Sequence, residues 1–211
     1  AWGAQWSSLF NGENLDGWIK RGGNATYEVS EQTIIGTTRQ GGANTFLCTD
    51  RDYGDFILEL EYLVDPAMNS GIQIRSLSDP DYNRGVVHGY QVEIDPSKRA
   101  WSGGIYDESR RGGLFPLKDL PQAQAAFRQN QWNHYRVEAI GDSIRTWVNG
   151  VPAADLRDSL NVSGFIALQV HGTNREEPMQ IKWRNIRIQD LGEHQWKPLF
   201  NGKDLSGWHT L

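Results

Sequence analysis

Hydrophobic residues recur at every second position through most of the chain. Phe56, Leu58, Leu60 and Tyr62 alternate with Asp55, Ile57, Glu59 and Glu61, and Ile72 and Ile74 with Gln73 and Arg75. Tyr90, Val92 and Ile94 alternate with Gln91, Glu93 and Asp95, and Tyr135, Val137 and Ala139 with His134, Arg136 and Glu138. Ile166, Leu168 and Val170 alternate with Ala167, Gln169 and His171, and a last run covers Ile181–Ile188. A period of two marks half-buried strands. Gly141-Asp142 and Asn149-Gly150 fall between such runs and predict hairpins, because these residues tolerate positive φ. Only Leu120–Gln129 looks helical, with Pro121 suited to a first turn. Short strands without βαβ alternation predict an all-β fold, an antiparallel sandwich or jelly roll with at most one or two short helices. Residues 64–70, 77–88 and 96–119 are rich in Gly, Pro, Asp, Ser and Arg and read as long loops, the usual carriers of function.

One stretch occurs twice. Leu9-Phe-Asn-Gly-Glu-Asn-Leu-Asp-Gly-Trp18 returns 190 residues later as Leu199-Phe-Asn-Gly-Lys-Asp-Leu-Ser-Gly-Trp208, identical at seven of ten positions. Nothing similar lies between the copies, so a short-period solenoid is not indicated. Either the two copies lie together in one fold, or whole domains are repeated in tandem. Repetition of an entire opening favours the second, with residues 8–191 as one domain and 192–211 as a linker and the start of another copy.

Composition narrows the class. The 211 residues include 21 Lys+Arg and 26 Asp+Glu, a net charge of −5, and 38% are hydrophobic. That supports a real core. The mixed charge lacks the basic stripe of a nucleic-acid binder, and no apolar run approaches the ~20 residues of a membrane span. Cys48, the single cysteine, sits in a strand-like run and reads as a buried thiol. It can build neither an internal disulfide nor a multi-cysteine zinc site. Residues 1–6 lack the features of a signal peptide, and the cysteine count leaves the compartment open. The 9 Trp and 23 Gly suit an all-β domain with tight turns. Exposed indoles also stack on sugar rings, although core packing accounts for most aromatic residues.

Several strands carry unusual polar residues. Gln73 with Arg75, Gln91 with Glu93, and Gln169 with His171 are each expected on one face. If these strands are neighbours, they offer a carboxylate, an imidazole, a guanidinium and planar amides, groups that match sugar hydroxyls. A solvated sheet face explains any one of them. The segment His88-Gly-Tyr-Gln-Val-Glu-Ile-Asp95 invites comparison with the Glu-x-Asp-x-x-Glu strand of laminarinase-type glycosidases. Lys98 stands where the second catalytic acid is needed, which argues against double displacement on this strand. Of the five histidines (88, 134, 171, 194 and 209), no pair has helical zinc spacing. His88, Glu93 and His171 form one candidate divalent-metal set. The loop around Tyr106, Asp107, Arg110 and Arg111 reads either as a lid reaching the site or as an internally ion-paired surface loop.

In order along residues 8–191, the chain carries Leu9-Phe-Asn-Gly…Leu15-Asp-Gly-Trp18, Ser70-Gly-Ile-Gln-Ile-Arg75, Gly89-Tyr-Gln-Val-Glu-Ile-Asp95, Gly104-Ile-Tyr106, Trp132-Asn-x-Tyr135, Val148-Asn-Gly150, Gly164–Gly172 and Arg184-Asn-Ile-Arg-Ile188. Each motif is weak alone, but the ordered set resembles the 3-keto-disaccharide hydrolase domain family. The resemblance implies a concanavalin A-like jelly-roll sandwich of two antiparallel sheets, a bacterial periplasmic or secreted setting with its signal removed, tandem copies, and action on oxidised glycosides. By motif, the family's polar trough falls on Arg75, Gln91, Glu93, Tyr106, Gln169 and His171. Many members carry an acid followed by Gln on the central strand, whereas here Gln91 precedes Glu93.

A ketone at C3 of a sugar acidifies the C2 hydrogen, so a base can remove it and the C1 substituent leaves by elimination before water adds back. On this expectation Glu93 or His171 is the base, Arg75 or a divalent metal ion the electrophile, and Tyr106 the acid. Gln73, Gln91, Gln169, His88, Asp107 and Trp101 are the expected substrate contacts. A carbohydrate-binding module without catalysis is the alternative, since fold does not decide function. A calcium module using Asp79, Asp81 or Asp95 is a third reading.

Overall fold

A computed structural model describes residues 4–196, 200, 202–206 and 208. In chain order the strands are β1 (Ser7–Ser8), β2 (Trp18–Gly22), β3 (Thr26–Ser30), β4 (Thr33–Thr37), β5 (Thr45–Thr49), β6 (Asp55–Val64), β7 (Ser70–Leu77), β8 (His88–Ile94), β9 (Ile105–Glu108) and β10 (Gly112–Phe115). After helix α1 (Pro121–Gln124) come β11 (Asn133–Ile140), β12 (Ser143–Val148), β13 (Val151–Arg157), β14 (Phe165–Val170) and β15 (Gln180–Gly192). They form two antiparallel sheets. One runs β13-β12-β11-β6-β15-β4-β3, with β1 paired to β15; the other runs β10-β9-β8-β7-β14-β5-β2. The expected all-β sandwich is present.

The core lies between the sheets and uses the apolar half of the alternation. Phe56, Leu58, Leu60 and Tyr62 of β6 meet Ile72 and Ile74 of β7, Tyr90, Val92 and Ile94 of β8, and Ile166, Leu168 and Val170 of β14, all buried in one cluster. Each such side chain stabilises the fold by roughly 1.5–3 kcal/mol relative to exposure. Both predicted hairpins form, joining β11 to β12 and β12 to β13. At the second, Asn149 and Gly150 both have positive φ (50° and 81°), as a two-residue turn matching strand twist requires. The helix is shorter than its sequence pattern, ending after Gln124, while Asn133 accepts from the Arg128 amide and donates to its carbonyl. Local hydrogen bonding to an Asn side chain thus replaces helical bonding in this segment. Cys48 is buried beside Phe46, Phe165 and Ala167 on the outer side of its sheet, and burial pushes its thiol up to about 12.

The repeated opening has two different settings. In the first copy the Trp18 indole donates to the Leu9 carbonyl at 3.0 Å, and Phe10 and Trp18 are buried. In the second copy Leu199, Asn201 and Gly207 lie outside the described residues, as does His209. There the Trp208 amide donates to Leu205 as the Trp18 amide does to Leu15, so the turn is repeated. Phe200, Leu205 and Trp208, however, are 51, 72 and 50% exposed. The motif makes its own turn, but its apolar side chains need a sheet to cover them.

Candidate functional site

A trough of about 530 Å³ opens on the outer face of the seven-stranded sheet. Its floor is Gln91 and Glu93 of β8 with Tyr106 and Glu108 of β9. One side is the β6–β7 loop with Met68 and Asn69, another the β8–β9 loop with Asp95 and Arg99, and Asn44 and His171 close the far end. Strand alternation explains the floor. Tyr90, Val92 and Ile94 turn into the core, which leaves Gln91 and Glu93 pointing outwards. Gln91 lies opposite Tyr106 in the β8–β9 ladder, so the two strands present one surface.

The floor is a chain of planar groups. Ser76 donates to the Gln73 amide oxygen (2.6 Å), Gln73 to Gln91 (2.7 Å) and Gln91 to a Glu93 carboxylate oxygen (2.7 Å). The other Glu93 oxygen accepts from Arg99 Nη2 at 2.8 Å and from Asn69 at 3.4 Å. Glycine makes this possible at one point, because a Cβ on Gly71 would come within 2.5 Å of Gln91 Cγ and Cδ. The Glu93 backbone is also tied down: its carbonyl accepts from the buried Tyr135 hydroxyl and the Gly103 amide. Burial raises the Glu93 carboxyl above the usual carboxylate range, outweighing the opposing pull of Gln91, Arg99 and Asn69. Arg99 holds Asp95 as well, at 2.6 Å, and lies 4.5 Å over the Trp101 ring. Asp95 moves the other way, lowered by Ser97 and Arg99 against the opposing effect of its burial.

At the far end Glu108 accepts from Asn44 at 3.1 Å, and Asn44 in turn accepts from the Gly172 amide beside His171. Burial raises the Glu108 carboxyl too, against the lowering influences of Asn44 and His171. Glu93 and Glu108 stand two positions to either side of the Gln91–Tyr106 pair on adjacent strands. At about 3.3 Å per residue this separates them by roughly 13 Å along the strands.

Of the expected site residues, Glu93, Gln91, Tyr106 and His171 come together in the trough, and Gln73 supports Gln91 from beside it. Gln169, expected as a substrate contact, does not line the trough. It is fully buried, and neither amide atom finds a protein partner among the described residues. Trp101 braces Arg99 rather than lining the trough, packing over Gly113 where a Cβ would touch its ring at 3.0 Å.

Arg75 is elsewhere, and the expectation that it shares a face with Gln73 is corrected. Its φ is +46°, at an irregularity where the β7–β8 register shifts, so the alternation breaks there. The guanidinium is completely buried, donating to the Gly54 carbonyl (2.8 Å), the Gly141 carbonyl (2.6 Å) and Asp55 (2.9 Å). It ties the β7 edge to the other sheet. Asp107 is corrected for a simpler reason: it follows Tyr106 on β9 and therefore points the opposite way. It is buried in ion pairs with Arg110 and Arg111, so the ion-paired reading of this segment holds for its acid, while Tyr106 reaches the trough.

The proposed metal set of His88, Glu93 and His171 is not assembled. His88 lies five strand positions from Glu93, roughly 16 Å, where it packs on Tyr82 and its Nδ1 meets the Val86 carbonyl. Among the described residues no three His, Cys, Asp or Glu side chains converge on a metal position. Asp79 and Asp81 lie outside the trough, and Asp95 is engaged by Arg99.

Sequence reasoning missed Glu108, Arg99, Asn44 and Asn69. Glu108 was within reach, since Tyr106 and Glu108 are two apart and must share a face once 105–108 is a strand. Arg99, Asn44 and Asn69 come from loops or strand ends, where no periodicity applies.

Comparison with known proteins agrees with this fold. The model of the 3-keto-alpha-glucoside-1,2-lyase-like domain matches residues 5–189. The chain belongs to that family. No curated protein matches it. Among solved structures, a candidate glycosyl hydrolase from Parabacteroides distasonis superposes with a TM-score of 0.63 at 16% identity, covering 88% of this chain and 94% of that one. A carbohydrate-binding module from Bacillus subtilis gives 0.57 at 17%, covering 84% and 98%. A β-1,3-1,4-glucanase derived from a mouse hindgut metagenome gives 0.57 at 10%, covering 90% and 99%. At these identities the likeness is one of fold, and the fold is one used both by glycan hydrolases and by glycan-binding modules.

Proposed function

We propose that this family member cleaves 3-keto-glycosides in the trough, by proton abstraction, elimination and hydration. The observation that carries the reading is Glu93, a buried carboxyl raised above the usual carboxylate range, held in place by Gln91 and in contact with the Arg99 guanidinium at the trough. Such a group suits a general base at working pH. Glu93 takes the C2 proton as the C2–H bond breaks, and the electron pair moves onto the C3 carbonyl oxygen. Arg99 takes the electrophile's place expected of Arg75, because it alone of the two lines the cavity, and its charge stabilises the enolate. Collapse of the enolate forms the C1–C2 double bond and expels the C1 oxygen substituent, which takes a proton from Tyr106. Water then adds at C1, giving the 3-keto sugar and the free alcohol.

The reaction needs no second carboxylate beside Glu93, which agrees with Lys98 standing where a laminarinase-type strand carries its second acid. The repeated opening at 199–208, in which Phe200, Leu205 and Trp208 are exposed, we read as the start of a second domain of this kind.

The test is incubation with a 3-keto-glucoside and the matching ordinary glucoside. Release of aglycone from the keto sugar alone, abolished in Glu93→Gln, is the expected result. Binding of both sugars without any product would instead make the trough a recognition site.

A further inference from the structure

The outer face of the eight-stranded sheet carries a second opening, about 510 Å³, on the opposite side of the sandwich from the trough. It is lined by Trp6, Glu59, Glu61, His134, Asn185 and Arg187 among others. In register, Arg136 of β11 and Arg187 of β15 flank Glu59 of β6, and His134 and Arg184 flank Glu61. Glu59 accepts from Arg136 Nη1 at 2.8 Å and from Arg187 Nη2 at 2.6 Å. Glu61 accepts from Arg184 Nε at 2.7 Å and Asn185 Nδ2 at 2.8 Å. Each guanidinium also covers an indole: Arg187 lies 4.6 Å from the Trp6 ring centre, Arg184 3.9 Å from Trp132, and Arg136 5.9 Å from Trp147.

We propose that this groove is a second binding site, for a neutral oligosaccharide. Of the three indoles Trp6 lines the opening; half-buried on the outer side of the sheet it does nothing for the core, whereas an indole beside planar carboxylate, guanidinium and amide groups is what a pyranose ring needs. The ring's C–H face packs on the aromatic plane, and adjacent hydroxyls meet the in-plane donors and acceptors. The side chains already restrain one another, so little ordering cost remains on binding. Charge selects the ligand class. Arg136, Arg184 and Arg187 are matched by Glu59, Glu61 and Glu138, and Arg136 donates to Glu138 as well. An anionic sugar would have to break an existing ion pair to gain one, while neutral hydroxyls can share the outer lone pairs and N–H groups of the pairs as they stand. Because the two openings are on opposite faces, a glycan held here leaves the trough open to a second one.

The experiment uses the full chain with ¹⁵N-labelled tryptophan, titrated with cellohexaose, maltohexaose and tri-galacturonate. The Trp6 indole signal is assigned by Trp6→Phe. A saturable shift of that signal with a neutral hexasaccharide, unchanged in Glu93→Gln and weakened at least tenfold in Trp6→Ala, is expected. Asn185→Gly keeps the left-handed backbone (φ +53°) and removes only the amide, so it should weaken binding even if Trp6→Ala fails to fold. No shift with either neutral sugar, a shift with tri-galacturonate in their place, or full binding by Asn185→Gly would overturn the proposal.

Discussion

Glu93 and Glu59 occupy the same kind of position: the outward side of a central strand, flanked by apolar residues that enter the core. Their chemistry has diverged. Glu59 shares its charge with Arg136 and Arg187 at a partly open surface, and those pairs lower its carboxyl despite some burial. Glu93 has one guanidinium and two amides, is covered by the β6–β7 and β8–β9 loops, and is raised by burial. Glu61 and Glu108 repeat the contrast, lowered by Arg184 and raised by desolvation respectively. The eight-stranded face therefore lowers Glu59 and Glu61, while the floor of the trough on the seven-stranded face raises Glu93 and Glu108. Burial and the number of cationic partners, rather than position in the strand, separate a structural acid from a reactive one.

The sharpest way to break this contrast is exchange of equivalent residues. Glu93→Gln should lower kcat/KM for a 3-keto-glucoside by about 10²–10⁴-fold, the usual contribution of a general base, while Glu59→Gln leaves it unchanged; steady-state kinetics on both variants decides. Next in size is Arg75→Met. It leaves Asp55 without its buried cation and should cost about 3–5 kcal/mol in urea unfolding, with the turnover of the folded fraction intact because Arg75 does not face the trough. Gly71→Ala pushes Gln91 off Glu93 by overpacking, at about 1–3 kcal/mol, and should lower kcat without a comparable change in KM.

The smallest effect concerns pH. Glu59 and Glu61 have folded values below their unfolded ones, so they stabilise above the ordinary carboxylate range and lose that contribution as pH falls through the folded values. Glu93 and Glu108 have raised folded values, so their contribution is present below the unfolded value and disappears as pH rises through the folded one. Relative to wild type, Glu59→Gln should thus lose stability as pH rises from 3 to 7, and Glu93→Gln should gain it. Parallel curves for the two variants would remove the contrast between the faces.

Much of this molecule was legible in its alternation. β6, β8, β11, β14 and β15 lie where hydrophobic residues recur every second position, and Asn149-Gly150 turns where a positive φ is cheap. The same rule placed Gln91 and Glu93 together outside the core. It failed at Arg75, where one residue with φ +46° turns a side chain expected outside into the interior. At 105–108 the Gly- and Arg-rich surroundings read as loop, which hides that Tyr106 and Glu108 share a face and that Asp107 points away from it. The rule had no purchase on Arg99, Asn69 or Asn44, which reach the trough from segments without a period.

The local code of this chain determined strands, hairpins, a sandwich and two polar outer faces, because side-chain direction along a strand depends only on neighbouring residues. Which face became a loop-walled trough, which carboxyl rose and which fell, and which arginine met Glu93 were settled by tertiary contacts. Desolvation and Coulomb interactions act through space, and no spacing along the chain records how many guanidiniums finally surround an acid.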